Sequence, residues 1–221
     1  MGRVTAIVAA AGEGRRFGAP KQFAPLRGKP VLEWCLDAFE AARSVDEIIL
    51  VLADEALGGD LVKKYRKVSA VTRGGNTRHE SVFAGLCRAD EKETALVLVH
   101  DGARPLVTPG LIERVIRGAR EKGNAIPVVP VPDTVKRVEA ARVIRTEERK
   151  HLFQSQTPQG FSPSLLKKAF LQAEREGFFG TDEAALVERT GHPVYVVQGD
   201  PRNIKITTPE DIKIAEALLE L

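Results

Sequence analysis

The sequence predicts an α/β fold in which a mostly parallel sheet is covered by helices and one β-hairpin arm protrudes. Apolar runs at residues 4–10, 47–52, 95–99, 125–131 and 193–198 are separated by segments of helical period, the rhythm of βαβ units. Capping hydroxyls followed by proline, at Thr108-Pro109 and Ser162-Pro163, mark helix starts. A charged stretch at residues 133–161 breaks the alternation.

The first run ends in a glycine loop, residues 11–18, and a helix follows at residues 31–39. There Val31, Leu32, Cys35, Leu36 and Phe39 repeat at helical spacing and form a core face, with Trp34 and the cysteines Cys35 and Cys87 as packing residues. Further on, Thr77 and Glu80 have the spacing of a capping box. Gly123 closes the helix that Thr108-Pro109 opens, and Thr208-Pro209-Glu210-Asp211 opens the last one with acids facing its dipole. Residues 134–138 and 142–146 read as two short strands around a Glu-Ala-Ala turn. They are too charged to bury both faces, and an isolated hairpin is marginal in water, so a second subunit is expected to cover it.

With 221 residues, 43% of them hydrophobic and 29% charged, the chain suits a single domain, 1–221, with the arm at about 133–155. No apolar run is long enough to span a membrane and no export signal precedes the first strand, so a cytoplasmic protein with no membrane partner is expected. The two cysteines show no metal-ligand spacing. A net charge of +3 spread along the chain gives no reason to expect a nucleic-acid partner.

The stretch "AAAGEGRRFGAPKQ", residues 9–22, brings Gly12 and Gly14 together with Arg15, Arg16 and Lys21. Glycines admit close backbone approach and cations favour phosphate, yet the spacing matches neither G-x-G-x-x-G nor a Walker loop. A plain turn carrying solvated arginines is the competing reading. In "LVLVHDGARP" a strand delivers Asp101 and Arg104 to its carboxyl end, the ligand-binding edge of open α/β sheets. Asp101 suits Mg²⁺, directly or through water, or a hydroxyl, and Arg104 suits a phosphate, while an ordinary Asp-Gly turn explains the motif equally well. His100 lacks metal-ligand company and reads as structural. "TRGGNTRHESV" places Gly75, Asn76 and Ser81 where a flat polar base could be gripped, although capping alone accounts for it. Thr181 with Asp182 in "TDEAA", and Lys205 in "NIKIT", read singly as a cap and a surface lysine.

In their order along the chain, "AAAGEGRRFGAPKQ", "RGGNTRHESV", "VHDGARP", "PVPDTVKR", "TPQGF", "TDEAA" and "NIKIT" resemble the 2-C-methyl-D-erythritol 4-phosphate cytidylyltransferases of the non-mevalonate isoprenoid pathway. The resemblance covers nearly the whole chain. It implies a Rossmann-like three-layer nucleotidyltransferase fold, Mg²⁺ as cofactor, CTP and methylerythritol phosphate as ligands, and a homodimer that exchanges hairpin arms. It implies nucleotide binding by Ala9, Ala10, Ala11, Gly12, Gly14, Gly75, Asn76, Ser81 and Asp101. Arg16, Lys21, Arg149 and Lys205 are implied as catalytic, and Arg104, Thr134, Thr157 and Thr181 as substrate-binding, with Thr134 and Arg149 reaching the partner's site. Ala9 stands where the family often has proline, Phe17 where it has methionine and Asn76 where it has aspartate. Two other readings stay open: a cytidylyltransferase for another polyol phosphate such as ribitol 5-phosphate, and a non-catalytic nucleotide-binding module.

Overall fold

A computed structural model describes residues 2–220. In chain order the elements are β1 (Arg3–Ala10), a small hairpin β2 (Pro25–Leu26) and β3 (Lys29–Pro30), α1 (Val31–Ala41), β4 (Glu47–Leu52), α2 (Gly59–Lys64), β5 (Val68–Arg73) and α3 (Arg78–Arg88). There follow β6 (Thr94–Asp101), α4 (Pro109–Lys122), β7 (Asn124–Pro130), the arm strands β8 (Lys136–Glu139) and β9 (Arg142–Thr146), β10 (Phe153–Ser155) and β11 (Gln159–Phe161). The chain then runs through α5 (Pro163–Glu176), α6 (Glu183–Arg189), β12 (Val196–Gln198) and α7 (Glu210–Leu218).

The sheet runs β10-β7-β11-β6-β1-β4-β5, with β12 also on β7. Pairs β1–β4, β1–β6, β4–β5 and β7–β12 are parallel, while β11, between β6 and β7, is antiparallel to both. From β1 the chain builds outward to β4 and β5 and then returns to place β6 on the other side. The carboxyl ends of β1 and β6 therefore flank the switch point, where an open α/β sheet leaves a crevice.

Strand alternation divides the core between the two faces. Ala6, Val8, Leu50, Leu96 and Leu98 pack with α1 and α4, whereas Ile7, Val51, Val97 and Val99 pack with α3, α5 and α6. The expected apolar face of α1 is buried in full. Trp34 is only half-buried; its Nε1 donates to the Leu26 carbonyl at 3.0 Å and the Lys29 ammonium lies 3.8 Å from its ring centre. Cys35 packs as expected, but Cys87 is exposed, because α3 turns Val82, Gly85 and Leu86 inward and leaves position 87 to solvent.

The caps at Thr108 and Ser162 form as predicted, each with proline in the first turn, and Gly123 ends α4 at φ 87°. At α7 the roles are reversed. Thr208 does not cap the helix; instead the Asp211 carboxylate in its first turn reaches back to accept the Thr207 and Thr208 N–H groups at 2.7 and 2.8 Å. The hairpin forms a separate two-stranded sheet, beginning at Lys136 rather than Thr134, and its turn places Ala140 and Ala141 at φ 45° and 63°. The last strand shortens to Val196–Gln198; at its edge the Tyr195 carbonyl accepts the Ile126 N–H of β7 at 2.9 Å while the Tyr195 N–H goes to the Asn124 side chain at 3.0 Å.

Candidate active site

The loop after β1 is folded by its own backbone. Phe17 and Gly18 N–H groups donate to the Gly14 carbonyl at 2.7 and 2.9 Å. Gly14 sits at φ 68°, and a Cβ there would lie 1.9 Å from the Ala19 carbonyl oxygen, so only glycine closes this turn. Behind the loop the buried Gln22 amide donates to the Gly12 carbonyl at 3.1 Å and pins it. Next to Gln22, on a short 3-10 turn, Lys21 faces the crevice. Partial burial pushes its pKa down, Lys205 pushes it further, and the opposing pull of Asp101 is in turn countered in part by Arg16. Cations crowded in this way are a receptor for anionic charge.

Opposite this loop, β5 runs into α3 through Gly74 and Gly75. A Cβ on Gly74 would lie 2.4 Å from the Ala11 Cβ and 2.7 Å from the Ser81 hydroxyl, so the two loops meet at van der Waals contact only because position 74 is glycine. The Thr77–Glu80 capping box is complete, and Glu80 also takes the Asn76 N–H at 2.6 Å. The Ser81 hydroxyl donates to the Thr77 carbonyl at 2.8 Å, which leaves its lone pairs for a donor in the cavity.

Asp101, at the end of β6, joins the two sides. Its Oδ1 accepts from Arg78 Nε at 2.7 Å, its Oδ2 accepts from Lys205 Nζ at 2.6 Å, and Arg104 Nε lies 3.9 Å away. Burial opposes ionisation of this carboxyl, but the Arg78 and Lys205 charges outweigh it and hold the pKa well below the usual carboxylate range. Arg78 also grips Glu183, at the start of α6, through two bonds of 2.7 and 2.9 Å. Below Asp101 the buried Thr157 hydroxyl accepts the Asp101 N–H at 3.1 Å and pairs with His100 Nδ1 at 3.0 Å. His100 is structural as expected; burial pushes its pKa down to about 3, so it is neutral.

The resulting cavity, of about 610 Å³, brings together Ala9, Ala10, Ala11, Gly12, Lys21, Gly75, Asn76, Ser81, Asp101 and Lys205, the members of the expected set that line it. Gly14 and Arg16 belong to the same loop without lining the cavity. Arg104 is committed to the Asn203 carbonyl at 2.7 Å and Thr157 to Asp101 and His100, so both stand behind the cavity wall. Thr181 is exposed just ahead of α6, and Thr134 and Arg149 are exposed on the arm, outside the cavity of their own chain. Sequence reasoning missed Arg78, Glu183 and Gln22. A signal for Arg78 existed: it is the first residue of α3, where a cation opposes the helix dipole and so calls for an acidic partner elsewhere.

The family model for IspD, 2-C-methyl-D-erythritol 4-phosphate cytidylyltransferase, matches residues 4–221. The chain belongs to this family. The IspD of Bacillus licheniformis is 44% identical over 220 residues, covering 97% of this chain and 94% of that one. Among solved structures, the IspD of Thermus thermophilus superposes with a TM-score of 0.82 at 38% identity, covering 99% of this chain and all of that one. The 4-diphosphocytidyl-2C-methyl-D-erythritol synthase of Anaerococcus prevotii gives 0.88 at 34% identity, covering 100% of this chain and 99% of that one. IspD membership agrees with the Rossmann-like layered sheet and with the order of the motifs around the crevice.

Proposed function

We propose that this protein transfers CMP from CTP to 2-C-methyl-D-erythritol 4-phosphate, giving 4-diphosphocytidyl-2-C-methyl-D-erythritol and pyrophosphate in isoprenoid biosynthesis. The observation that carries the reading is the cavity itself. Two glycine-walled loops meet over the switch point, and Lys21 and Lys205 face one ionised carboxylate with Arg16 close by. The glycines and alanines of these walls leave room for a nucleoside, and the surplus of positive charge suits its phosphates.

The acceptor phosphate has a second pKa of about 6, so at neutral pH it attacks the α-phosphorus of CTP in line, and pyrophosphate leaves, without a general base. The barrier lies in joining two anions. Lys21 and Arg16 take up charge that develops on the α-phosphate and the leaving pyrophosphate. Lys205, and Arg149 from a partner's arm, orient the incoming phosphate, with Thr134 and Thr181 beside the acceptor and Arg104 and Thr157 supporting the wall behind it. Ala9 to Gly12, Gly14, Gly75, Asn76 and Ser81 hold the nucleotide.

Mg²⁺ dependence is part of the proposal. The described residues contain no group of three or more His, Cys, Asp or Glu that could hold an ion by themselves. Asp101 is an ionised carboxylate on the cavity wall, and one carboxylate combined with substrate phosphates is a donor set that suits Mg²⁺. Asp101 would hold it directly or through water, and the ion would neutralise triphosphate charge.

The protein is further proposed to act in the cytoplasm as an arm-exchanged homodimer. Support for the dimer comes from the arm, where Val138 and Val143 are more than half exposed and Ile144 is 41% exposed, apolar surface that a second copy would cover. No helix among the described residues is long and apolar enough to cross a membrane. The test of the reaction is phosphorus NMR on protein incubated with CTP, Mg²⁺ and methylerythritol phosphate. Coupled diphosphate resonances of a new product beside free pyrophosphate are expected; unchanged CTP and acceptor would refute the reading.

A further inference from the structure

Arg78 has no part in the proposed phosphoryl transfer, yet it makes three charged hydrogen bonds to two carboxylates at the site. Its guanidinium spends Nε on Asp101 and both terminal nitrogens on Glu183, whose side chain is 1% exposed. We propose that Arg78 is a positioning residue: a strut braced on Glu183 that fixes the Asp101 carboxylate so that Oδ2 presents Lys205 to the acceptor phosphate. The inference rests on the functional reading above and extends it.

The brace is rigid at its far end. Asp182, next to Glu183, accepts from Ser155 Oγ at 3.0 Å and Gln159 Nε2 at 2.8 Å, and the buried Gln159 also takes the Ala184 N–H through its Oε1 at 3.0 Å. Glu183 is therefore held by the residues on both sides of it. Arginine is required because its planar fork reaches two carboxylates at once, whereas a lysine ammonium is a single point of contact. With Oδ1 held, the carboxylate cannot rotate, and Lys205 on Oδ2 keeps a fixed place on the cavity wall. The nucleotide side is held separately, by the Thr77–Glu80 box and by Gln22 on the Gly12 carbonyl. Loss of the strut should therefore be felt more by the acceptor, which meets Lys205 directly, than by CTP, whose link to Asp101 would run through the ion.

The experiment compares Arg78→Lys, Glu183→Gln and the double variant with wild type, measuring KM for each substrate, kcat and the thermal midpoint. Misplacement of a reacting group by about 1 Å costs on the order of 100-fold in rate, so each single variant is expected to lose about 10- to 100-fold in kcat/KM for the acceptor, with the KM for CTP within about threefold. Because both residues belong to one strut, the double variant should be no worse than the poorer single one. Glu183→Gln retains the side-chain shape and Arg78→Lys the charge, so both test the strut in folded protein. Lower thermal midpoints with wild-type kcat/KM for the acceptor, losses that multiply in the double variant, or an equal rise in the KM for CTP would overturn the inference. An inactive wild type would overturn the functional reading and the inference with it.

Discussion

Replacing Gly74 by alanine tests whether the two loops must touch for the cavity to bind a nucleotide. Gly74 has no positive φ, so the effect is steric rather than conformational. The new Cβ would lie 2.4 Å from the Ala11 Cβ and 2.7 Å from Ser81 Oγ, with Ser81 Cβ at 3.2 Å. Carbon atoms settle at about 3.5–4.0 Å, so the loops must part by about 1 Å. Ser81 is buried and anchored on Thr77, and Ala11 belongs to the loop that Gln22 pins, so neither side can yield alone. Overpacking of this kind costs about 1–3 kcal/mol, against about 0.4–1 kcal/mol regained from a stiffer unfolded chain. Displacement of the nucleotide wall by that distance should raise the KM for CTP by about tenfold or more, with a smaller change in the KM for the acceptor. Steady-state pyrophosphate release and a thermal melt on Gly74→Ala give both numbers. A KM for CTP within twofold of wild type, with an unchanged melt, would show that the contact between the loops does not shape the nucleotide site.

Lys21→Met should lower kcat by about 100-fold or more with the melt preserved, and in wild type the alkaline limb of kcat/KM for CTP, which reports the free protein, should fall below pH 10.5, because burial first and then the charges of Lys205 and Arg16 depress this lysine; steady-state kinetics with a thermal melt, and a pH–rate profile, check these. His100 has a folded pKa of about 3 against its ordinary 6.5, so the stability it supports is complete above pH 6.5 and is lost progressively as pH falls toward 3; acid melts of His100→Gln should show a flatter decline over that range. Asp101, depressed by its cations against the opposing effect of burial, adds a second loss at lower pH, beginning as pH falls through the usual carboxylate range, and Asp101→Asn should cost about 3–5 kcal/mol in denaturant melts because Lys205 and Arg104 lose their carboxylate and Arg78 keeps only Glu183. Wild type is expected to scatter light as the proposed dimer and Val138→Asp with Val143→Asp as a monomer, since the charges would fall on apolar surface that the proposal assigns to a partner.

Much of the fold was legible because its central strands are buried on both faces. β1, β4, β6 and β7 read as apolar runs, and the helix caps at Thr77, Thr108 and Ser162 could be read from single residues. The strands that escaped notice lack that signature. β5 is an edge strand with only Val68 fully buried, and β11 is three residues long with Gln159 and Gly160 held in place by distant partners. Cys87 was misplaced because period alone does not show how far a helix face is covered. At the site, the resemblance supplied the anionic ligands, and the local motifs supplied glycines and cations. What stayed hidden was convergence. Arg78 meets Glu183 across 105 positions and Lys205 meets Asp101 across 104, and no local pattern encodes pairs so distant.

Cytidylyl transfer to one acceptor is tested most directly by pyrophosphate release with Mg²⁺ and each of CTP, UTP, ATP and GTP, offered methylerythritol 4-phosphate and ribitol 5-phosphate in parallel. Release confined to CTP with methylerythritol 4-phosphate is the predicted result. Release with ribitol 5-phosphate in preference would contradict the acceptor assignment, and nucleotide binding with no release under any pairing would contradict catalysis altogether.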